Sequence, residues 1–296
     1  PGEALVTQEA VGLNYIDVYF RTGLYKAPSM PMTIGMEGAG KVTAIGPGVT
    51  DVAVGDRVAY AGALGAYATA RVIAADRLVK LPDGIDARTG AAMMLQGMTA
   101  QYLVRRTYKV KSGDTIVVHA AAGGVGLILS QWATHLGATV IGVVSSEEKA
   151  GLARAHGAAH VIVGHANLVA EVKRITGGAM VPVVYDSVGK DTFTASLDCL
   201  APLGLMVSYG NASGPVPPVE ISILAAKGSL YLTRPSLVTY TAKRDDLVAT
   251  ANDLFTVVQS GAVKIAVNQT FPLKDAAAAH EALEARRTTG STVLLP

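Results

Sequence analysis

The chain has 296 residues, half of them apolar, 16% charged and 5% aromatic, with a mean hydropathy of +0.36. This composition excludes a disordered chain, and 25 basic against 23 acidic residues leave a net +2, too small to advertise a polyanionic partner. The single cysteine, Cys199, excludes an intrachain disulfide and a cysteine-built zinc cluster, and it fits a reduced, cytoplasmic setting.

The chain opens Pro1-Gly2-Glu3, without the basic-then-apolar pattern of a signal peptide. A short helix or turn is predicted at Asn14–Tyr19. Between Gly and Pro punctuation, Lys41–Ile45, Asp56–Ala61 and Ala68–Ile73 read as short strands. Asp86–Thr107 reads as helix, with Met93, Met94, Met98 and Leu103 at helical spacing as core filling. From Gly113 the rhythm changes. Strands are predicted at Thr115–His119, Thr139–Val144, Val161–Val163, Val181–Asp186, Leu205–Tyr209 and Ser229–Thr233. Helices alternate with them at Gly124–Leu136, Glu147–His156, Leu168–Thr176 and Thr192–Leu200. This alternation argues an α/β fold with a six-stranded, parallel, doubly wound sheet of the dinucleotide-binding kind. Helices at Lys243–Ser260 and Lys274–Arg287 and a strand at Thr292–Leu295 read as a return to the first, β-rich domain. The predicted division is 1–97 and 237–296 for that domain and 98–236 for the dinucleotide-binding one.

The stretch Thr115–Ser146 carries no Asp, Glu, Lys or Arg, as a membrane span would. Five glycines interrupt it, with His119, Gln131 and His135. Strand, glycine turn, buried helix and strand is the better reading, because a parallel sheet covered on both faces is built from such runs.

The strongest local signal is His119-Ala-Ala-Ala-Gly-Gly-Val-Gly126, placed after a strand and before a helix. Ala121 stands at the first glycine of the dinucleotide fingerprint, with Gly123 and Gly126 at the other two. Gly123 lets backbone approach a pyrophosphate, Gly126 lets helix pack on strand, and the helix N-terminus faces the anion. The second strand ends Val143-Val144-Ser145-Ser146 with no acid at its tip, and Lys149 follows. A missing acid beside a cation favours a 2′-phosphate, hence NADPH. His119 reads as a buried strand-end histidine and Cys199 as a small buried hydrophobe. Asn14 and Asp17 also fit a local helix-cap pair, and Arg105-Arg106 with Lys109 and Lys111 a solvated face. The histidines (His119, His135, His156, His160, His165, His280) form no convergent metal set.

Several segments occur in order: Leu13–Asp17, Arg21–Tyr25, Gly35-Met36-Glu37-Gly38-Ala39-Gly40, Gly55–Val58, His119–Gly126, Tyr185–Gly189 and Lys227–Leu237. Together they resemble the medium-chain dehydrogenase/reductase superfamily. Within it the likeness is to the zinc-independent NADPH:quinone oxidoreductases related to zeta-crystallin, and closest to their bacterial group. The resemblance implies a GroES-like catalytic domain beside the Rossmann domain. The family begins earlier, with first strands that this chain does not carry. Zinc members have ligands where this chain has Asn14, Met36 and Leu95, so no metal site is expected.

By the same resemblance Asn14, Tyr19 and Tyr25 would line the nicotinamide and substrate cleft as catalytic residues. Tyr15, Ile16, Asp17, Val18, Tyr19 and Tyr102 would touch the cofactor, with Thr99 nearby. Gly123, Gly124 and Val125 would hold the pyrophosphate. Ser145, Ser146 and Lys149 would hold the adenosine phosphate side, with Arg286 reaching back to the 2′-phosphate. Val188, Tyr209, Gly210, Asn211, Ala212, Pro235, Ser236 and Leu237 would follow the nicotinamide half. Relatives carry a tyrosine after the third strand where this chain has Gly164-His165, so a shallower NADPH preference is expected. The acceptor's specificity would lie in the loops Tyr19–Met32 and Thr239–Arg244.

The implied activity is reduction of a quinone by NADPH. A sibling reading is reduction of an alkenal or enone double bond, and a reading of another class is a non-catalytic, crystallin-like NADPH-binding or RNA-binding protein. The low net charge speaks against RNA. A homodimer is expected, because the apolar sixth-strand segment Gly228–Thr233 would leave an open sheet edge that a twofold copy covers.

Overall fold

The computed structural model describes residues 1–296. The chain begins with β1 (Glu3–Leu13), α1 (Tyr15–Arg21), β2 (Glu37–Ile45), β3 (Arg57–Ala61), β4 (Ala70–Ala74), β5 (Val79–Lys80) and α2 (Ala87–Tyr102), followed by a π-helical turn at Leu103–Thr107. An alternating series comes next: β6 (Thr115–His119), α3 (Gly124–His135), β7 (Thr139–Val144), α4 (Glu147–Ala155), β8 (Ala158–Val163), α5 (Leu168–Ile175), β9 (Val181–Asp186), α6 (Phe193–Asp198), β10 (Leu200–Ser208), α7 (Ser222–Ala226), β11 (Tyr231–Thr233) and α8 (Leu237–Tyr240). It closes with α9 (Arg244–Gln259), β12 (Val267–Pro272), α10 (Ala276–Glu284) and β13 (Ser291–Leu295). Two compact units result, Pro1–Thr99 with Tyr240–Pro296, and Ala100–Thr239.

The first unit is built on a seven-stranded sheet ordered β12-β13-β1-β2-β3-β5, with β4 paired to β1. Its longest strand, β1, escapes the periodicity reading. Its inward positions are small or polar as well as branched: Ala4, Val6, Gln8 and Ala10 alternate with exposed Glu3, Leu5, Thr7 and Glu9. Gln8 is tolerated there because its Nε2 donates to the carbonyls of Ala66 (2.6 Å) and Ala68 (2.8 Å) and its Oε1 accepts from Tyr60. The core gathers Val6, Val11, Leu13, Val42, Val58, Tyr60, Ile73, Leu78 and Leu294. Met93, Met94, Met98 and Leu103 have no exposed surface, as core filling requires.

The second unit is a six-stranded sheet ordered β11-β10-β9-β6-β7-β8, every adjacent pair parallel. The order reverses between β6 and β9, the point where ligands bind in open α/β sheets. Thr115–Ser146 resolves as β6, α3 and β7, with Val117, Ile141 and Trp132 buried, and no helix is long and apolar enough to cross a membrane.

Two predicted helices are shorter than expected. The one predicted over Thr192–Leu200 stops at Asp198, since Leu200 already pairs with Val181. The one predicted over Lys274–Arg287 stops at Glu284. There the amides of Arg286 and Arg287 turn back to the carbonyls of Leu283 and Ala282, and Arg286 takes a left-handed φ of 59°.

Candidate cofactor and substrate site

β6 ends at His119 and the chain turns through Ala120, whose φ of 49° is left-handed. Gly123 caps α3 in an extended conformation, and the first intrahelical bond runs from Leu127 N to Gly123 O (2.9 Å). The amides of residues 124 to 126 therefore precede the helical bonds, at the positive end of the helix dipole. Gly123, Gly124 and Val125 are partly exposed. A Cβ on Gly126 would stand 2.8 Å from Ala121 Cα and closer still to Ala120 O. Ala121, at the first fingerprint position, is accommodated by Gly142 on β7, where a Cβ would stand 2.9 Å from the Ala121 Cβ. These glycines leave a cradle of backbone amides that fits a dinucleotide pyrophosphate.

At the end of β7, Ser145 is exposed and Ser146 caps α4, its Oγ accepting from Lys149 N at 3.4 Å. The acids Glu147 and Glu148 lie in the first turn of α4, beyond the strand tip. Gly164 follows β8 with a φ of 76° and donates to Val144 O, leaving His165 exposed.

The ends of β9, β10 and β11 are laced together. Asp186 Oδ1 accepts from the amides of Val188 (2.7 Å) and Gly189 (3.0 Å), and its Oδ2 from Thr192 Oγ1 (2.7 Å) and Ser196 Oγ (2.8 Å). Ser196 has one proton and spends it on Asp186. His119 Nε2, 2.9 Å from Ser196 Oγ, is therefore the donor in that contact. Burial lowers the pKa of His119 and keeps it neutral. Ser213 N donates to Val188 O (2.8 Å), and a Cβ on Gly210 would stand 2.8 Å from Ser187 Cα. Arg234 Nη1 donates to the carbonyls of Ser208 (3.0 Å) and Gly210 (2.9 Å). The Asn211 amide, oriented to satisfy both neighbours, accepts from Arg234 Nη2 at 3.1 Å. Val188, Tyr209–Ala212 and Pro235–Leu237 are thus held on one framework, whose organisers Asp186 and Arg234 sequence reasoning missed. Tyr102 is buried in the last turn of α2, and Thr99 is buried one turn earlier.

In the first unit, Tyr15, Tyr19 and Tyr25 gather. Their ring centroids are 6.1 Å apart for Tyr15 and Tyr19 and 5.2 Å for Tyr19 and Tyr25. Tyr19 and Val18 are buried, while Tyr15 and Ile16 are partly exposed. Asp17, which the resemblance set against the cofactor, has no exposed surface. Its Oδ2 accepts from Asn14 N (2.9 Å) and Tyr67 OH (3.2 Å), so its side chain holds the start of α1. Burial raises its pKa to about 7. Arg286, expected on the last helix, lies in the left-handed turn beyond α10, and its charge lowers the otherwise raised pKa of Tyr15.

Asn14 is buried, its Nδ2 donating to Glu37 Oε2 (2.7 Å) and its Oδ1 accepting from Gln96 Nε2 (3.0 Å). Burial raises the Glu37 carboxyl to about 8, against N–H donors from Asn14, Leu95 and Met94 that favour its anion. Sequence reading saw Glu37 only as part of the Gly35–Gly40 motif. Met36 is buried and the Leu95 amide donates to Glu37. Nowhere do three or more His, Cys, Asp or Glu side chains gather as a metal site would need.

Comparison with known proteins agrees with this architecture. Residues 1–83 match the alcohol dehydrogenase GroES-like domain, and residues 124–254 match the zinc-binding dehydrogenase family. The chain is 56% identical to a quinone oxidoreductase of Pseudomonas aeruginosa, over all of this chain and 92% of the relative. It is 47% identical to a 2-haloacrylate reductase of Burkholderia sp., over all of this chain and 91% of that one. The structure of Escherichia coli quinone oxidoreductase complexed with NADPH superimposes with a TM-score of 0.97 at 49% identity, over 100% of this chain and 92% of that one. With both halves matched and the likeness running end to end, the chain belongs to the quinone oxidoreductase family of the medium-chain dehydrogenase/reductase superfamily.

Proposed function

We propose that the protein is a zinc-independent, NADPH-dependent quinone reductase. The observation that carries this is the glycine cradle before α3, followed one strand later by a β7 tip with no acid and with Lys149 behind it. The NADPH bound by the Escherichia coli relative supports the same reading.

Gly124 and Val125 hold the pyrophosphate with backbone amides, and Gly123, whose own amide donates to Ala120 O, lets it approach. Ser145, Ser146, Lys149 and Arg286 hold the 2′-phosphate side. Val188, Tyr209–Ala212 and Pro235–Leu237 orient the nicotinamide, with Tyr15, Ile16, Val18, Thr99 and Tyr102 contributing to the cofactor site. Asn14, Tyr19 and Tyr25 face the acceptor. Bound NADPH supplies a hydride. The chain's own part is to bind, orient and exclude water, since a reduced quinone collects protons from the solvent and needs no placed acid–base set. Asn14, Met36 and Leu95 at the zinc-ligand positions support a metal-free site.

A second reading, reduction of a double bond conjugated to a carbonyl or carboxylate, is favoured by the 47% identity to the 2-haloacrylate reductase. Such a reaction calls for a placed proton donor, for which Tyr25 is the candidate. The low net charge argues against RNA as a partner. The protein is read as cytoplasmic. It is read as a homodimer through β11, which pairs with β10 on one side only and exposes Tyr231 and Leu232.

The test is titration of NADPH and NADH into wild type, Lys149→Ala and Arg286→Ala, with turnover on a panel of quinones and enones. A charge-assisted hydrogen bond contributes about 1.5–3 kcal/mol, so each variant is expected to lose NADPH affinity roughly tenfold or more while NADH binding barely changes. A wild-type preference for NADH defeats the cofactor assignment. Turnover on enones alone would favour the second reading.

A further inference from the structure

We propose that Glu37 is a positioning residue that acts through Asn14, fixing which end of the Asn14 amide can donate to the electron acceptor's oxygen. The proposal rests on the reading of Asn14 as an acceptor-facing residue.

Four buried polar side chains of the first unit form a chain. Gln96 Nε2 donates to Asn14 Oδ1 (3.0 Å) and Asn14 Nδ2 to Glu37 Oε2 (2.7 Å), while the single proton of Ser291 Oγ has both Gln96 Oε1 (2.7 Å) and Ala92 O (2.9 Å) within reach. Above its raised value of about 8 the Glu37 group is a carboxylate and sets the direction, since it can then only accept, and its other oxygen already takes the Leu95 amide at 2.7 Å. Asn14 must then turn its NH2 toward Glu37 and its carbonyl toward Gln96. Room for the carboxyl is made by Gly12, where a Cβ would stand 2.8 Å from Glu37 Cδ.

An amide held at both ends inside the core does not flip. One N–H of Asn14 is spent on Glu37, and an amide NH2 has two. The second is the group Asn14 brings to a carbonyl oxygen as that oxygen gains negative charge during reduction by NADPH. A donor already aimed pays no reorganisation at that moment. A glutamine at position 37 would set an NH2 either against the Leu95 amide or against the Asn14 NH2. The chain would then lose its direction.

The test has two arms, both run at a pH above the Glu37 value of about 8, where the carboxyl is ionised. Side-chain amide NMR spectra of the protein without substrate, with Asn14 assigned through Asn14→Asp, report the orientation. One Asn14 amide proton is expected downfield in wild type, moving upfield in Glu37→Gln. An Asn14 signal that is the same in both overturns the proposal. The second arm is a double-mutant cycle of Glu37→Gln with Asn14→Ala, using NADPH and a quinone. Glu37→Gln is expected to lower kcat about 10- to 100-fold with KM for NADPH within about twofold, and to cost nothing further once Asn14 is alanine. Equal losses in both backgrounds would mean a structural role only and overturn the proposal. Should Glu37→Gln not fold, Gln96→Met breaks the chain from the other side of Asn14 and enters the same two arms. A wild type that binds NADPH but reduces neither quinones nor conjugated carbonyls would sink the functional reading, while the spectra still decide the orientation.

Discussion

The fingerprint turn contains two glycines whose jobs separate cleanly under substitution by alanine. At Gly126 an added Cβ meets backbone on one side, 2.8 Å from Ala121 Cα and 3.0 Å from Ala120 C, whereas ordinary contact begins at 3.4 Å. Backbone cannot rotate away as a long side chain would, so α3 must lift from β6. Overpacking of this kind costs roughly 1–3 kcal/mol. With a melting shift of about 2–4 °C per kcal/mol for a unit of this size, Gly126→Ala should lower Tm by roughly 2–12 °C. At Gly123 the nearest atom to a new Cβ is Ala120 O at 3.2 Å, and its φ of −82° suits any residue. Exchanging glycine for alanine at a helix N-cap costs on the order of 1 kcal/mol or less, so Gly123→Ala should shift Tm by no more than about 4 °C. On the proposed reading its methyl instead occupies space kept for the pyrophosphate, and NADPH affinity should fall. Circular dichroism melts of the ligand-free variants and calorimetric NADPH titrations read the two effects. An unchanged Tm in Gly126→Ala would refute the packing argument, and undiminished NADPH affinity in Gly123→Ala would refute the ligand-approach argument.

Two buried carboxyls of the first unit should give stability a pH slope. Burial raises Asp17 to about 7 and Glu37 to about 8, so between the ordinary carboxylate range and those values the folded chain holds protons that the unfolded chain has released. Stability should therefore fall as pH rises through that window, and denaturant titrations at a series of pH values should show the slope flattened in Asp17→Asn with Glu37→Gln; an equal slope in the double variant would remove the cause. At the open edge of the second sheet, Leu232→Glu puts like charges against each other across a twofold pairing of β11. It should convert a dimer to a monomer by light scattering without altering the fold, and a monomeric wild type would end the dimer reading.

How far such positions can be read from sequence depends on where their physical cause lies. β6, β7 and β9 run over Thr115–His119, Thr139–Val144 and Val181–Asp186, as predicted, because a strand covered on both faces is an apolar run whose cause is local. The glycine turn is legible for the same reason, since the conformations it needs are carried by neighbours a few residues away. β1 is not legible. Its inward Gln8 breaks the apolar alternation and is explained only by carbonyls 58 and 60 residues along the chain. Arg286 reads as helix because composition continues through it, while the turn that ends the helix is made by backbone amides that composition does not encode. The candidate site divides along the same line. Asn14, Tyr19 and Tyr25 are found by residue type within recognisable segments. Glu37 takes its chemistry from Asn14 and Leu95, 23 and 58 residues distant, and only their convergence turns an acid in a glycine-rich strand into the buried acceptor that sets an amide's direction. A residue of this kind is visible only once the partners that bury it and bond it are in place, which is why its test must vary it together with Asn14.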